Sequence, residues 1–434
     1  IYLTASGARQ LVDAVVENSG SLNVTSLTAK GGVVKLRAEG GNITHSGTIE
    51  ASGAAGGGNI IIGGDFHGAA QQSPISGRVL LNSDQVYVTK NATISADALN
   101  SGDGGKIAIW SDIHTQFLGS VTAKGGSVAG NGGFVEVSGK KTLDFRGLVT
   151  TVAPRGKMGT LLLDPSDITI QTTGPTSATL ASNTYSSNNN TSILTVANLV
   201  TALGSSNVTV DATAGTGTGS GVITVANAIN STSNNDLTLT GAQIILKANV
   251  NLGSVGILGL SANRGSVWQD PTTVITALAV GGNAHDGFIL NGNNQISALF
   301  SITNTGSGGI SIKNAESMSV SVLGATLDGG TGGVSILTPG YNFDLNAGLT
   351  VKGSFLRGDL GSGKMTGNAL APAGGYTLNA KNMDVYFTGK TTGNNATIDV
   401  GNGSFSFVND KRSVTALTTL TSSTTNADIG SGLG

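Results

Sequence analysis

The sequence predicts an all-β chain wound as a parallel solenoid, three short strands to each coil, and three observations carry that reading. One pattern is written three times over residues 92–163: Ala92-Thr-Ile-Ser-Ala96 then Gly104-Gly-Lys-Ile-Ala-Ile109, Ser120-Val-Thr-Ala123 then Gly132-Gly-Phe-Val-Glu-Val137, and Leu148-Val-Thr150 then Gly159-Thr-Leu-Leu-Leu163. With Ile94, Val121 and Leu148 set in register both intervals are 27 residues, while Ile107, Val135 and Leu161 recur after 28 and 26. A third run follows each pair, at Thr115–Phe117, Thr142–Phe145 and Ile168–Ile170. Alternation in each run sends every second side chain inward, and a repeat this short buries its apolar face only when another stacks on it. Antiparallel hairpins would also space strands evenly, but they do not require equivalent residues to return at every third strand.

Composition fits such a winding. Of 434 residues 67 are glycine, which suits tight turns and close backbone approach, and only 11% are charged against about a quarter in globular domains. Ser, Thr and Asn must therefore dress the surface. A net charge of −2 favours neither nucleic acid nor an anionic membrane, and no apolar run approaches the ~20 residues of a membrane helix. The absence of cysteine excludes disulfides and thiolate zinc sites, and suits a chain exported unfolded through an oxidising compartment. Ile1-Tyr-Leu-Thr4 reads as the middle of a strand, so the chain is expected to be a piece of a longer protein.

Residues 1–170 form the first region, with coils of about 27 residues. Ile49 to Ile94 spans 45 residues, some 18 more than one coil, and the excess is assigned to Val79–Val88 as a hairpin or extra strand pair protruding from the winding. Residues 171–235 are rich in Ser, Thr and Asn; within them Leu194–Leu203 spaces its apolar residues as a helix does, flanking or capping a coil, and Asn207–Val210 and Gly221–Val225 continue the same body. Residues 236–417 resume with shorter coils, since Gly309-Ile-Ser-Ile312 and Gly333-Val-Ser-Ile336 are offset by 24. Residues 418–434 read as a polar tail.

Two stretches carry a family likeness: Asn131-Gly-Gly-Phe-Val-Glu-Val-Ser-Gly-Lys140 and Gly159-Thr-Leu-Leu-Leu-Asp-Pro-Ser-Asp-Ile-Thr-Ile170, with similar phrases at Gly57–Asp65, Ala92–Leu99 and Asn234–Thr240. They resemble the filamentous-haemagglutinin-type exoproteins of bacterial two-partner secretion, including the high-molecular-weight adhesins. The resemblance implies a right-handed parallel β-helix, an outer-membrane pore protein as export partner, a location outside the cell or on its surface, and a host-cell receptor or glycan as ligand. The family's amino-terminal secretion domain, with its Asn-Pro-Asn motifs, is not found in these residues.

Catalysis and metal binding are separate questions, because parallel β-helices also include polysaccharide-degrading enzymes. Overlaying Gly57–His67 on Gly104–His114 stacks Asp65 over Asp112 and His67 over His114, a candidate site for a divalent cation, since carboxylate and imidazole are both metal ligands. The next coil carries Lys140 and Thr142 there, so the column stops, and no cofactor and no catalytic residue is assigned. Asp164 and Asp167, either side of Pro165, read as turn formers that bond side chain to backbone, with calcium ligation the alternative. Arg357-Gly358-Asp359 is an integrin-type tripeptide beside a glycine-rich turn and the one candidate binding motif. Trp110 and Trp268 read as edge or core packing. The expected function is a non-enzymatic, rod-like adhesin shaft. Its alternatives are a polysaccharide-degrading β-helix enzyme, marked by acidic or basic side chains lining a cleft on adjacent coils, and the stalk of a contact-dependent growth-inhibition toxin.

Overall fold

The computed structural model describes residues 1–6, 15–69, 71–72, 79–164, 167–173, 180–181, 184–185, 192–213, 220–320, 325–344, 349–366, 377–379, 384–401, 405–407 and 415–422. Strands dominate these residues, and Val196–Leu203 is the α-helix among them. The chain divides into two compact units, residues 1–227 with 231–241 and residues 228–230 with 242–434. Residues 423–434 of the expected polar tail lie outside the described residues, whereas Thr415–Ser422 is a strand.

In the first unit, as far as Thr150, each pass of the chain gives one strand to each of three parallel sheets. The first sheet stacks Tyr2–Ser6, Val33–Glu39, Asn59–Ile62, Lys106–Ser111, Phe134–Gly139, Thr160–Leu163, Asn207–Asp211 and Leu237–Gly241, each parallel to the one before. The second takes Val15–Asn18, Asn42–His45, Gln85–Val88, His114–Phe117 and Thr142–Phe145. The third takes Ser21–Asn23, Thr48–Glu50, Thr93–Ser95, Ser120–Thr122 and Leu148–Thr150. Parallel register places like on like: Val34, Ile60, Ile107, Val135, Leu161 and Val208 form one inward column, each no more than 1% exposed. Phe117 and Phe145 stack with ring centroids 5.6 Å apart in the second sheet.

The third sheet corrects one register. Ile49, Ile94 and Val121 lie in a column as the repeat requires, but its next member is Val149, 2% exposed, and not Leu148, which faces outward at 54%. The 27-residue interval from Val121 to Leu148 is therefore 28 in space. Leu148-Val149 offers two aliphatic residues in succession, and the alternation that decides between them is settled by burial of the following Thr151 and the preceding Phe145.

The extra residues between Ile49 and Ile94 are also placed differently. The two-stranded antiparallel ladder is Gln71-Gln72 with Val79-Leu80, whereas Gln85–Val88, expected to protrude, is a regular member of the second sheet. A second departure follows Leu163. Ile168–Gln171 does not pair with Thr142–Phe145; Ser192–Thr195 fills that place, with Ser192 Oγ accepting from Leu143 N–H at 3.0 Å, and Ile168–Gln171 pairs on its far side. Val222–Val225 then joins Ile168–Gln171 from beyond. The helix Val196–Leu203 follows Ser192–Thr195 directly. Thr195 caps it, its Oγ1 accepting from Asn198 N–H, while the Asn198 amide donates to Phe145 O and Leu199, Ala202 and Leu203 turn into the core.

The second unit repeats the principle with closer returns. Ile244, Val267, Phe288, Ile310, Val334 and Leu356 form one column, and Leu258, Val280, Leu299 and Val320 another. Ile310 returns at Val334 after the 24 residues read from the sequence. A polar rung runs beside them. Gln269 and Asn294, both fully buried, exchange amide hydrogen bonds at 2.7 and 3.0 Å, and Asn294 lies opposite Asn314, also fully buried, whose Oδ1 accepts from Ile296 N–H. Such amide ladders saturate the backbone at corners where strands bend and regular pairing lapses.

A candidate metal centre beneath the insertion

Strand alternation sends Lys35, Ile61, Ala108, Glu136 and Leu162 to the outer face of the first sheet, where solvent would normally meet them. Ile61, Ala108, Glu136 and Leu162 are nevertheless 6%, 0%, 0% and 4% exposed. The cover comes from the insertion. After Gly63 the chain leaves the sheet, makes a single 3-10 turn at Phe66–Gly68 and lays Phe66 on Phe134, ring centroids 5.5 Å apart.

Local chemistry fixes that turn. Asp65 Oδ1 accepts from Phe66 N–H at 2.9 Å and its carbonyl accepts from Gly68 N–H. His67 adopts φ 54°, a left-handed conformation that histidine tolerates better than most non-glycine residues. Gly68 follows at φ 64°, and a Cβ there would stand 2.6 Å from the Trp110 ring, so only glycine lets the turn sit on the indole. Trp110 is 2% exposed and donates from Nε1 to Asp112 Oδ1 at 3.3 Å, and Asn82 bridges Gly68 O and the same carboxylate oxygen.

The turn delivers His67 to two carboxylates. Both oxygens of Glu136 accept from His67 N–H, at 3.2 and 3.1 Å. His67 Nδ1 stands 3.7 Å from Oδ2 of Asp164, which is 1% exposed. One ligand atom from each of His67, Glu136 and Asp164 lies within 4.8 Å of the others. Burial pushes the Glu136 carboxyl above its ordinary value, and the His67 N–H pulls it only part of the way back. Imidazole with two carboxylates is a donor set that could hold a divalent first-row metal.

Of the two stacked pairs read from the sequence, His67 belongs to this cluster and Asp65, Asp112 and His114 do not. Asp65 shapes the turn and Asp112 anchors Trp110 and Asn82. His114 lies opposite Gln85 and Thr142, its Nδ1 2.8 Å from Thr142 Oγ1, and burial lowers its pKa while nearby Asp144 opposes the shift. The expected stacking of His67 over His114 fails because the overlay holds only as far as Ile62 opposite Ile109. Beyond it one chain turns outward over the sheet and the other continues into the corner. Glu136 and Asp164 were missed: Glu136 stands at an outward position of an otherwise apolar strand, which was the available signal, and Asp164 was assigned to a turn. Asp167 accepts from Ser220 and Val222 N–H at 3.0 and 2.8 Å, bonds to the segment that opens strand Val222–Val225.

Arg357-Gly358-Asp359 is not at a turn. It lies within strand Phe355–Thr366, opposite Ser335–Leu337 on one side and Tyr386–Thr388 on the other. Trp110 packs as expected, and Trp268 is 37% exposed on the outer side opposite Ile245. No protein-family model matches the chain, and no curated protein matches it.

Proposed function

We propose that the chain is the shaft of a secreted bacterial surface adhesin, wound as a right-handed parallel β-helix and exported through an outer-membrane pore partner. The observation that carries this reading is the stacking itself: in the first unit, as far as Thr150, every pass contributes one strand to each of three parallel sheets, and in each unit aliphatic columns run from pass to pass. Such a body is held by repetition, with each pass supporting only its neighbours. Its outward positions suit a passive polar surface. In the third sheet Thr48, Thr93 and Ser120 succeed one another outside the core, with Thr93 Oγ1 donating to Thr48 Oγ1 at 3.1 Å. The likeness of residues 131–140 and 159–170 to the two-partner-secretion exoproteins supplies the biological context, and the ligand is a host-cell receptor or a glycan. The insertion interrupts the repetition and is the natural carrier of specificity.

The test is binding of the whole chain to a glycan array and to cultured epithelial cells, alongside a variant in which Gln71–Leu80 is replaced by a Gly-Ser linker. Saturable binding that the variant loses, with an unchanged circular dichroism spectrum, is the expected result. Absence of binding to every glycan and cell type would overturn the adhesin reading, and release of sugar from a glycan would favour the enzyme.

A further inference from the structure

We propose that His67, Glu136 and Asp164 form a binding site for one divalent first-row transition-metal ion of the zinc class, which fastens the insertion across successive passes of the first sheet. The three donors come from separate places in the sequence. Glu136 lies in strand Phe134–Gly139, Asp164 directly follows Thr160–Leu163 on the next pass, and His67 arrives over the top from the pass of Asn59–Ile62. Their ligand atoms converge within 4.8 Å, whereas a tetrahedral zinc site would hold them roughly 3.4 Å apart given its usual bond lengths. His67 Nδ1 already stands 3.7 Å from Asp164 Oδ2, and the histidine side chain, 55% exposed, can rotate.

Two carboxylates, 0% and 1% exposed, converge with one imidazole. The donor set selects among cations: one nitrogen with two carboxylate oxygens suits Zn²⁺ or Mn²⁺, whereas calcium and magnesium prefer oxygen alone. The exposed edge of His67 gives an entry path from solvent and leaves room for water as a further ligand. Both oxygens of Glu136 already receive the His67 N–H, so the residue that brings the imidazole is itself anchored to a second ligand, the arrangement expected of an outer hydrogen bond that orients a metal site.

The experiment is calorimetric titration of the chelator-treated full chain with ZnCl2, MnCl2 and CaCl2, paired with thermal unfolding with and without each salt. One-to-one binding of Zn²⁺ is expected, with a rise in Tm, and His67→Ala and Asp164→Asn each weaken it by more than about tenfold. His67 is exposed, so its variant keeps the fold, which circular dichroism checks. His285 pairs with Asp286 at 2.7 Å on the surface and is the control: His285→Ala leaves the affinity unchanged. The proposal is overturned if Zn²⁺ neither binds nor stabilises the wild-type chain, if His67→Ala binds as tightly as wild type, or if the binding follows His285 instead. Calcium binding at the same affinity as zinc would also overturn it.

Discussion

Leu148 and Val149 are neighbours of similar chemistry, yet one faces outward at 54% exposure and the other continues the Ile94–Val121 column at 2%. The pattern of aliphatic residues was enough to recognise the column, but where two of them adjoin, alternation alone does not say which is inside. Val149→Ala should cost about 2 kcal/mol of unfolding free energy in urea, as a truncation in a packed column does. Leu148→Ala should stay within about 0.5 kcal/mol; equal effects would sink the register. Glu136 makes a second prediction at this scale. Its carboxyl is raised by burial, so in the absence of metal the folded chain holds the proton more tightly than the unfolded one. Stability is then full below the ordinary value of 4.5 and is lost as pH rises through the raised one. His45 and His114 are lowered by burial and act in the opposite sense, with stability lost as pH falls below their ordinary 6.5. Chemical unfolding across pH, in the presence of chelator, should show the high-pH loss diminished in Glu136→Gln and the acid loss retained.

Elements were legible where period and punctuation agreed. The helix announced itself in Leu194–Leu203, and the structure adds its cap: Thr195→Ala should destabilise by about 1 kcal/mol, measured by thermal or urea unfolding. The insertion was legible as a surplus of residues, but its course was not, because nothing local says that Phe66 will lie on Phe134. That contact depends on a glycine whose only visible feature in sequence is its type; Gly68→Ala should loosen the cover over Trp110 and speed proteolysis within residues 66–82. The local position of Arg357–Asp359 was less legible: the glycines nearby suggest a turn, whereas the tripeptide lies in a strand paired at Ser335–Leu337 and Tyr386–Thr388, partners that only the register brings alongside.

At the scale of the whole molecule, the described residues are held by backbone ladders and stacked apolar columns that recur from pass to pass. The pairs among the described residues include Lys124 with Asp97 at 4.0 Å, Lys352 with Asp328 at 3.8 Å, and Arg146 with Asp144. The first two are exposed pairs, each contributing at most about 1 kcal/mol, whereas Asp144 is 7% exposed and accepts from Gln116 as well as Arg146. Raising NaCl from about 0.05 to about 1 M shrinks the screening length to about 3 Å and should move the unfolding free energy by less than about 1 kcal/mol. A larger loss would mean that charge carries more of the fold than its geometry indicates. The trio of His67, Glu136 and Asp164 was not legible in the sequence, because its members are far apart in the chain and become neighbours only through register.

The crossing at Ile168–Gln171 bears on how the chain assembles. If synthesis or export delivers the polypeptide amino end first, this strand emerges before Ser192–Thr195, the one that finally separates it from Thr142–Phe145. It must wait unseated, or dock early and be displaced by its successor. Growth by simple addition, each newcomer landing on the last, would therefore stall at this crossing until about two dozen further residues had arrived.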